Sequence, residues 1–288
     1  TLVSTVLGEV MQIDPELIRI TRPNSLESLP GNSPVGSRMA IMLGGAAARA
    51  GEKLKAKIMA IAAHRLGVAI DQLRYEGGDV LAHDGRRFTW DEMVELAHRQ
   101  YHNLPDGMDP GLASFDIMQV PTGDALPVDD KVQMYPCYSF EFHLLLVSFD
   151  PIIGRPDIHS YVIGHDCGTV INPAIVSGMT YGGIAHGIGA ALFEEFAYDT
   201  NGQLLTQSFL DYLMPSSHEV PAIQIVKHCT PSPHTVFGQK GSGESGYLGA
   251  PAAVSAAIND AVSGLGIHFE KLPIRMSAIS DAIAAKTS

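Results

Sequence analysis

Glu244 lies in the stretch "FGQKGSGESGYLGAP", Phe237–Pro251, where residue types and spacing suggest chemistry. From Gly238 the pattern runs G-x-x-x-x-G, after which a phosphate-binding loop would place Lys and then Ser or Thr, so that a cation meets the phosphates. This chain has Glu244 and Ser245 there instead, a proton acceptor where the cation would stand. Gly241 and Gly243 remove side-chain bulk around the carboxylate, so the backbone can press against a ligand while Glu244 projects. In a crowded apolar setting its pKa would rise toward the range useful for a general base at neutral pH. The simpler reading is an exposed carboxylate that complements the dipole of the helix behind it.

Two further segments hold candidate groups. "GSRMAIMLGGAAARA", Gly36–Ala50, is a loop-to-helix junction with Ser37, Arg38 and Met39 at the turn and Gly44-Gly45 within the next turns. Amides at a helix N-terminus bind anions; a capped helix with a tight packing face accounts for the same residues. "GHDCGTVINP" places His165, Asp166 and Cys167 at the end of a strand. Adjacent strand residues point to opposite faces, so His165 and Cys167 can share one and Asp166 cannot join them. Structural packing is the favoured reading of this trio, with a Cys167/His165 hydrolase as the rival. His186 has Gly182 and Ala190 at i±4, neither of which can ligate a metal.

The elements that must position these groups are legible in outline. "TLVSTVLGEVMQI" opens the chain as a helix, "DPELIRI" offers Asp14 as a cap and then a short apolar strand stopped by Pro23, and "NSLESLPGNSPVGSR" is loop. Met39 to about Leu66 recurs at helical spacing, with Arg49, Glu52, Lys53, Lys55 and Lys57 marking the wet face. "LRYEGGDVLAHDGRRFTW" reads as a hairpin, and Thr89 with Glu92 three residues on forms a capping box. Residues 103–130, rich in Pro, Gly and Asp, are the expected boundary between two α/β subdomains, 1–130 and 131–288, of an α+β (mixed α/β) fold. The second begins with strands "SFEFHLLLVSF" and "IHSYVIGHD". The glycine-rich "SGMTYGGIAHGIGAALFEEF" follows; its glycines cost helix stability and so need a packing reason, a close approach to another backbone or to a cofactor. "PAAVSAAINDAVSGLG" is a helix opened by Pro251 and closed by Gly264 and Gly266.

Composition narrows the function classes. The chain has 288 residues, 45% of them hydrophobic, which can supply a sizeable core. A formal charge of -12 argues against a nucleic-acid or anionic-membrane surface. Three scattered cysteines, Cys137, Cys167 and Cys229, form no zinc, iron–sulfur or disulfide framework, which points to a reducing compartment. No apolar run approaches the roughly 20 residues of a membrane helix, and no signal segment opens the chain, so a cytoplasmic location is expected. Thr1 inside a helix suggests a piece of a longer polypeptide or a mature subunit.

Taken in order, "PVGSRMAIMLGGAA", "IGHDCGTVINPAIVSGMTYGGIAHGIGAALFEE" and "GQKGSGESGYLGAPAAVSAAINDAV" resemble the molybdopterin-binding, C-terminal large-subunit region of the xanthine dehydrogenase, aldehyde oxidoreductase and CO dehydrogenase family. The resemblance extends over essentially the whole chain; the family's earlier glycine-rich segments are absent from it. It implies a molybdenum-dependent oxidoreductase that oxidises an aldehyde or N-heterocycle with water as oxygen source and Glu244 as general base. It also implies that Ser37, Arg38 and Met39 touch the pterin or its phosphate, that Gly178 and Met179 lie beside the pterin, and that Gly243 precedes the base. Many members carry Gln where this chain has Met179, so either that amide hydrogen bond is lost or a neighbour such as Gln207 or His186 replaces it. The resemblance implies that no side chain would bind the metal, which the pterin dithiolene would hold. The implied cofactor is molybdenum-molybdopterin, in the cytosine dinucleotide form common in bacterial relatives. Iron–sulfur clusters and FAD would sit on partner subunits or domains, together with the missing upstream segment. Carbon monoxide is the least favoured substrate, since the copper-bearing cysteine loop of that branch has no counterpart here. A truncated assembly module is the non-enzymatic alternative.

Overall fold

The computed structural model of the chain describes residues 1–21, 24, 26, 34–121, 129, 131 and 134–287. The chain forms two compact units: Thr1–Pro136 with Pro233–Gln239, and Cys137–Ser232 with Lys240–Ser288. The first therefore takes in a short segment from deep within the second half of the sequence. Mixed helices and strands in both make the fold α+β.

In the first unit, helix α1 (Leu2–Met11) packs on α2 (Met39–Leu66). The periodic apolar stripe does this: Val6, Val10 and Met11 are buried, as are Ile41, Ala48, Ile58, Ile61 and Ala62. Gly51 lets the helices come close, since a Cβ there would stand 2.8 Å from Val10 Cγ1. Gly67, at φ 65°, ends α2 in the left-handed conformation that glycine adopts without strain. Three cations of the wet face also hold an irregular segment, Arg49 and Lys53 while remaining exposed. Arg49 and Lys53 reach Asp116 at 2.9 and 2.7 Å, and Lys57 donates to the Asp109 carbonyl at 2.9 Å.

A three-stranded antiparallel sheet, β1 (Leu73–Glu76), β2 (Asp79–Ala82) and β3 (Arg87–Phe88), leads into α3 (Trp90–His98). The capping box at Thr89 and Glu92 is complete in both directions. Asp14 caps as anticipated, but only a 3-10 turn, Pro15–Leu17; the strand expected after it does not form. Ile20 is half exposed and pairs with no strand, and an apolar run without a ladder partner has nothing to hold it extended. Pro23 and most of the loop that follows lie outside the described residues.

The second unit is built on a sheet in the order β4 (Phe140–Phe149), β5 (Pro156–Asp166) and β6 (Ile223–His228). β4 and β5 are antiparallel, with a register shift at Leu146/Val147, while β6 runs parallel to β5. Parallel pairing requires a long crossover, and α4 (Pro173–Leu192) lies within it. With α5 (Ala250–Val262) and α6 (Met276–Thr287) it encloses a core of Tyr161, Ile163, Ile184, Ile188, Val254, Ile258 and Ile279. The opposite face of β4 carries Phe140, Phe142, Leu144 and Leu146, all about 60–70% exposed. Glu141 and His143 therefore point inward, toward the helices. No described helix is long and apolar enough to cross a membrane.

Candidate active site

The turn from Lys240 to Gly249 carries Glu244 and leads into α5, and it is fastened at both ends to the edge of the second sheet. Upstream of the carboxylate, the Lys240 N–H donates to the Cys167 carbonyl at 2.8 Å. The Lys240 ammonium lies 3.3 Å from Asp166 and donates to Thr230 Oγ1 at 2.7 Å, with both ion-pair side chains more than nine-tenths buried. Asp166 also accepts from the Gly168 N–H at 2.8 Å, the Thr230 N–H at 3.2 Å and the Thr230 hydroxyl. Burial alone would raise the Asp166 pKa, but these donors outweigh it and hold the carboxyl far below its usual range. The only lysine of the glycine-rich stretch is thus committed to a buried pair, which removes any phosphate-binding reading of it.

Downstream of the carboxylate, Ser245 Oγ and His165 Nε2 are 2.8 Å apart, and the Gly246 N–H donates to Glu141 Oε1 at 2.8 Å. Glu141 in turn meets His143 Nε2 at 3.3 Å, and His143 Nδ1 meets the Tyr161 hydroxyl at 2.8 Å. Burial works against the Glu141 charge, but the His143 and Gly246 hydrogen bonds outweigh it and lower its pKa. Burial lowers the pKa of His165, with the charges of Glu141 and Asp166 partly opposing, so it is neutral at neutral pH. Burial raises the Tyr161 hydroxyl, and the nearby Glu141 charge adds to the rise.

α4 supplies the floor under the turn. A Cβ on Gly183 would collide with the Ser245 carbonyl and stand 2.9 Å from Tyr247 N; one on Gly246, at φ +83°, would collide with the Thr180 carbonyl and meet Ile184 N at 3.0 Å. His186 stacks on Tyr247 with ring centroids 4.4 Å apart. The packing reason demanded by the glycine-rich helix is real at Gly183 and Gly187. At Gly178 and Gly182 it is missing, because nothing lies within 4 Å of a built Cβ.

Gly243 and Glu244 are both exposed at the tip of this turn. The crowded apolar setting foreseen for Glu244 is therefore not supplied by the described residues. Gly178 is exposed and Met179 half-buried on α4, one turn or more ahead of Gly183. Of the two candidates to replace the usual amide, Gln207 donates to the Leu204 carbonyl at 2.9 Å, within its own turn, while His186 faces the Glu244 turn through its stack on Tyr247.

The other predicted binding turn lies in the first unit. Gly36 and Ser37 both have positive φ, 69° and 56°, which bends the chain sharply into α2. Arg38 donates from Nε to the Val35 carbonyl at 2.7 Å, and its guanidinium stands 5.9 Å from the centre of the Tyr135 ring. Met39 opens α2 half exposed. No side chain among the described residues caps α2 and its first turn holds no carboxylate, so its leading amides suit an anionic group. Gln239, 1% exposed, donates to the Ala40 carbonyl at 2.9 Å and accepts from the Phe237 N–H, also at 2.9 Å.

His165, Asp166 and Cys167 are all buried. His165 and Asp166 point to different partners, as strand alternation requires. Burial raises the Cys167 thiol pKa, the reverse of what a nucleophilic cysteine needs, so the hydrolase reading loses its nucleophile. Sequence reasoning missed Glu141, His143, Tyr161, Lys240 and Gln239. The available signal was the Glu and His alternating with apolar residues in "FEFHLLL", but either face of such a strand can be the buried one. Among the described residues no group of three or more His, Cys, Asp or Glu is placed to hold a metal ion.

A family model described as the molybdopterin cofactor-binding domain matches residues 1–221. The chain is 34% identical over 275 residues to the nicotine 6-hydroxylase large subunit of Paenarthrobacter nicotinovorans, covering 95% of this chain and 32% of that one. Reconstituted CO dehydrogenase from Oligotropha carboxidovorans superposes with a TM-score of 0.85 at 27% identity, covering 100% of this chain and 34% of the other. Quinoline 2-oxidoreductase from Pseudomonas putida 86 superposes with a TM-score of 0.82 at 30% identity, covering 99% and 35%. This chain spans about a third of the length of these relatives.

Proposed function

The chain belongs to the molybdopterin-binding region of the xanthine dehydrogenase and CO dehydrogenase family, and on that premise we propose that Glu244 is the general base in oxidation of an aldehyde or N-heterocycle, with water as the oxygen source. The observation that carries this reading is the Glu244 turn itself: a single projecting carboxylate on a glycine turn fastened on both sides by buried hydrogen bonds. A base held in place while its carboxylate stays accessible can take a proton from water at the moment of attack on an electron-poor carbon. Such proton transfer contributes about 10²- to 10⁴-fold.

The residues present fit a bound molybdopterin. The uncapped first turn of α2, with Ser37, Arg38 and Met39 at its entry, offers amides and a guanidinium to an anionic phosphate. The open surface at Gly178 and the half-buried Met179 leave room for a flat ring beside α4. His186 would supply the hydrogen bond that Met179 lacks. A bound molybdopterin would supply the two-electron oxidation, its molybdenum held through the pterin dithiolene with no side chain of this chain as ligand. The cytosine dinucleotide form belongs to the same proposal. So do iron–sulfur and flavin partner subunits to drain the electrons, and the remainder of a large subunit about three times this length.

Molybdenum per chain, measured by elemental mass spectrometry on the natively purified complex, tests the reading together with Glu244→Gln. Near one metal per chain and a loss of at least about 10² in turnover are expected. Full turnover by Glu244→Gln would refute the base. Absence of metal in a preparation whose partners carry their clusters would leave an assembly module.

A further inference from the structure

We infer that Glu141 is a positioning residue for Glu244, acting through the backbone of the turn; this rests on the base reading above. Glu141 is inward-facing on β4 and its side chain is 14% exposed. Its two oxygens do different work. Oε1 accepts from the Gly246 N–H, two residues beyond Glu244, at 2.8 Å, and Oε2 faces His143 Nε2 at 3.3 Å.

An ionised carboxylate only accepts, so His143 donates from Nε2 to Glu141, and its Nδ1 lies 2.8 Å from the Tyr161 hydroxyl, to which it is joined by a second hydrogen bond. Tyr161 is fully buried in the core between sheet and helices. The orientation of the Glu244 turn is thereby referred back to the rigid centre of the unit.

Gly246 has no other way to settle. At φ +83° it sits against the α4 backbone, and its N–H would be stranded there without the carboxylate. Gly249, three residues on, presses on His143, since a Cβ there would stand 2.6 Å from His143 Cδ2. His165 adds a second tie through Ser245, its Nε2 also lying 3.9 Å from Glu141 Oε1. Two successive residues after the base are thus tied to two neighbouring strands, Ser245 to His165 on β5 and Gly246 to Glu141 on β4. A carboxylate on a side chain as mobile as Glu gains a defined position only if the backbone beneath it is defined.

The test uses the complete complex with its partners, with Glu141→Leu, Glu141→Gln, Glu244→Gln and the double variant Glu141→Leu/Glu244→Gln. Hydrogen exchange of the peptide spanning 241–249 gives a readout independent of turnover. Glu141→Leu is expected to speed exchange of the Gly246 amide by about 10- to 100-fold, the equivalent of one hydrogen bond to a charged acceptor, with molybdenum content unchanged. Glu141→Gln retains an acceptor and should stay within about 3-fold of the parent. Turnover of quinoline, nicotine and benzaldehyde supplies the second readout: kcat should fall about 10- to 100-fold in Glu141→Leu with KM nearly constant, and the loss should vanish in the Glu244→Gln background.

Unchanged exchange at Gly246 in Glu141→Leu overturns the inference. So does a kcat loss that persists in full in the Glu244→Gln background, which would make Glu141 a general structural support. Glu244→Gln at full turnover, with Gly246 exchange still dependent on Glu141, would instead remove the base reading and leave only an anchored turn.

Discussion

Two adjacent glycines in α4 separate packing from propensity. At Gly182 nothing lies within 4 Å of a built Cβ, so Gly182→Ala should gain the helix propensity of alanine, about 0.5–1 kcal/mol. At Gly183 the same Cβ would collide with the Ser245 carbonyl and stand 2.9 Å from Tyr247 N, against about 3.5 Å for a comfortable nonbonded contact. Both neighbours are backbone, which cannot swing aside as a side chain tip can. Overpacking of this kind costs about 1–3 kcal/mol, which offsets the propensity gain and leaves Gly183→Ala less stable than Gly182→Ala by about that amount. Urea unfolding followed by circular dichroism, with equal m-values, reads the difference directly as a shift in midpoint. In the assembled enzyme, Gly183→Ala should also push the Glu244 turn outward, and misplacement by about 1 Å can cost 10²-fold in turnover. The reasoning fails if Gly183→Ala unfolds at or above the Gly182→Ala midpoint with residues 244–247 unmoved in a crystal structure.

Other outcomes follow from the same contacts. Lys240→Met strands Asp166 in a buried site and should cost about 3–5 kcal/mol in chemical unfolding; a loss below 1 kcal/mol would show the pair to be solvated. Thr89→Ala removes half of a complete capping box and should cost about 1 kcal/mol, measured the same way, whereas Thr89→Ser should be close to neutral. Acid should destabilise the fold in two stages. The folded pKa of His165 lies below its unfolded value of about 6.5, so its stabilisation is present above that pH and is lost as pH falls through the folded value. Asp166 is also depressed, and its contribution is lost in turn as pH drops below about 3.9. A urea midpoint that is flat or rises between pH 7 and pH 5 would contradict the His165 assignment.

Local order was legible in the sequence because local rules generate it. The stripe of Met39–Leu66, the Thr89/Glu92 box, and Pro251 opening α5 each depend on residues within a turn or two of one another. The expected strand after Asp14 failed for the complementary reason: "LIRI" had the composition of a strand, but a strand requires a partner.

The sequence by itself also determined that Glu244 stands on a glycine turn ahead of a helix, and the resemblance of that turn to a known family. Tertiary structure alone decided what holds the turn. In "FEFHLLLVSF" an alternating pattern leaves open which face is buried, and the ordinary rule would place Phe140, Phe142 and Leu144 inside. The fold does the reverse, turning those residues outward and aiming Glu141 at Gly246, 105 residues away in sequence, while His143 joins Glu141 to Tyr161. Lys240 likewise looks like a free cation beside glycines until Asp166 and Thr230 close around it. Such pairings join β4, β5 and a distant loop, and no local rule encodes a hydrogen bond whose two ends meet only after the sheet has formed.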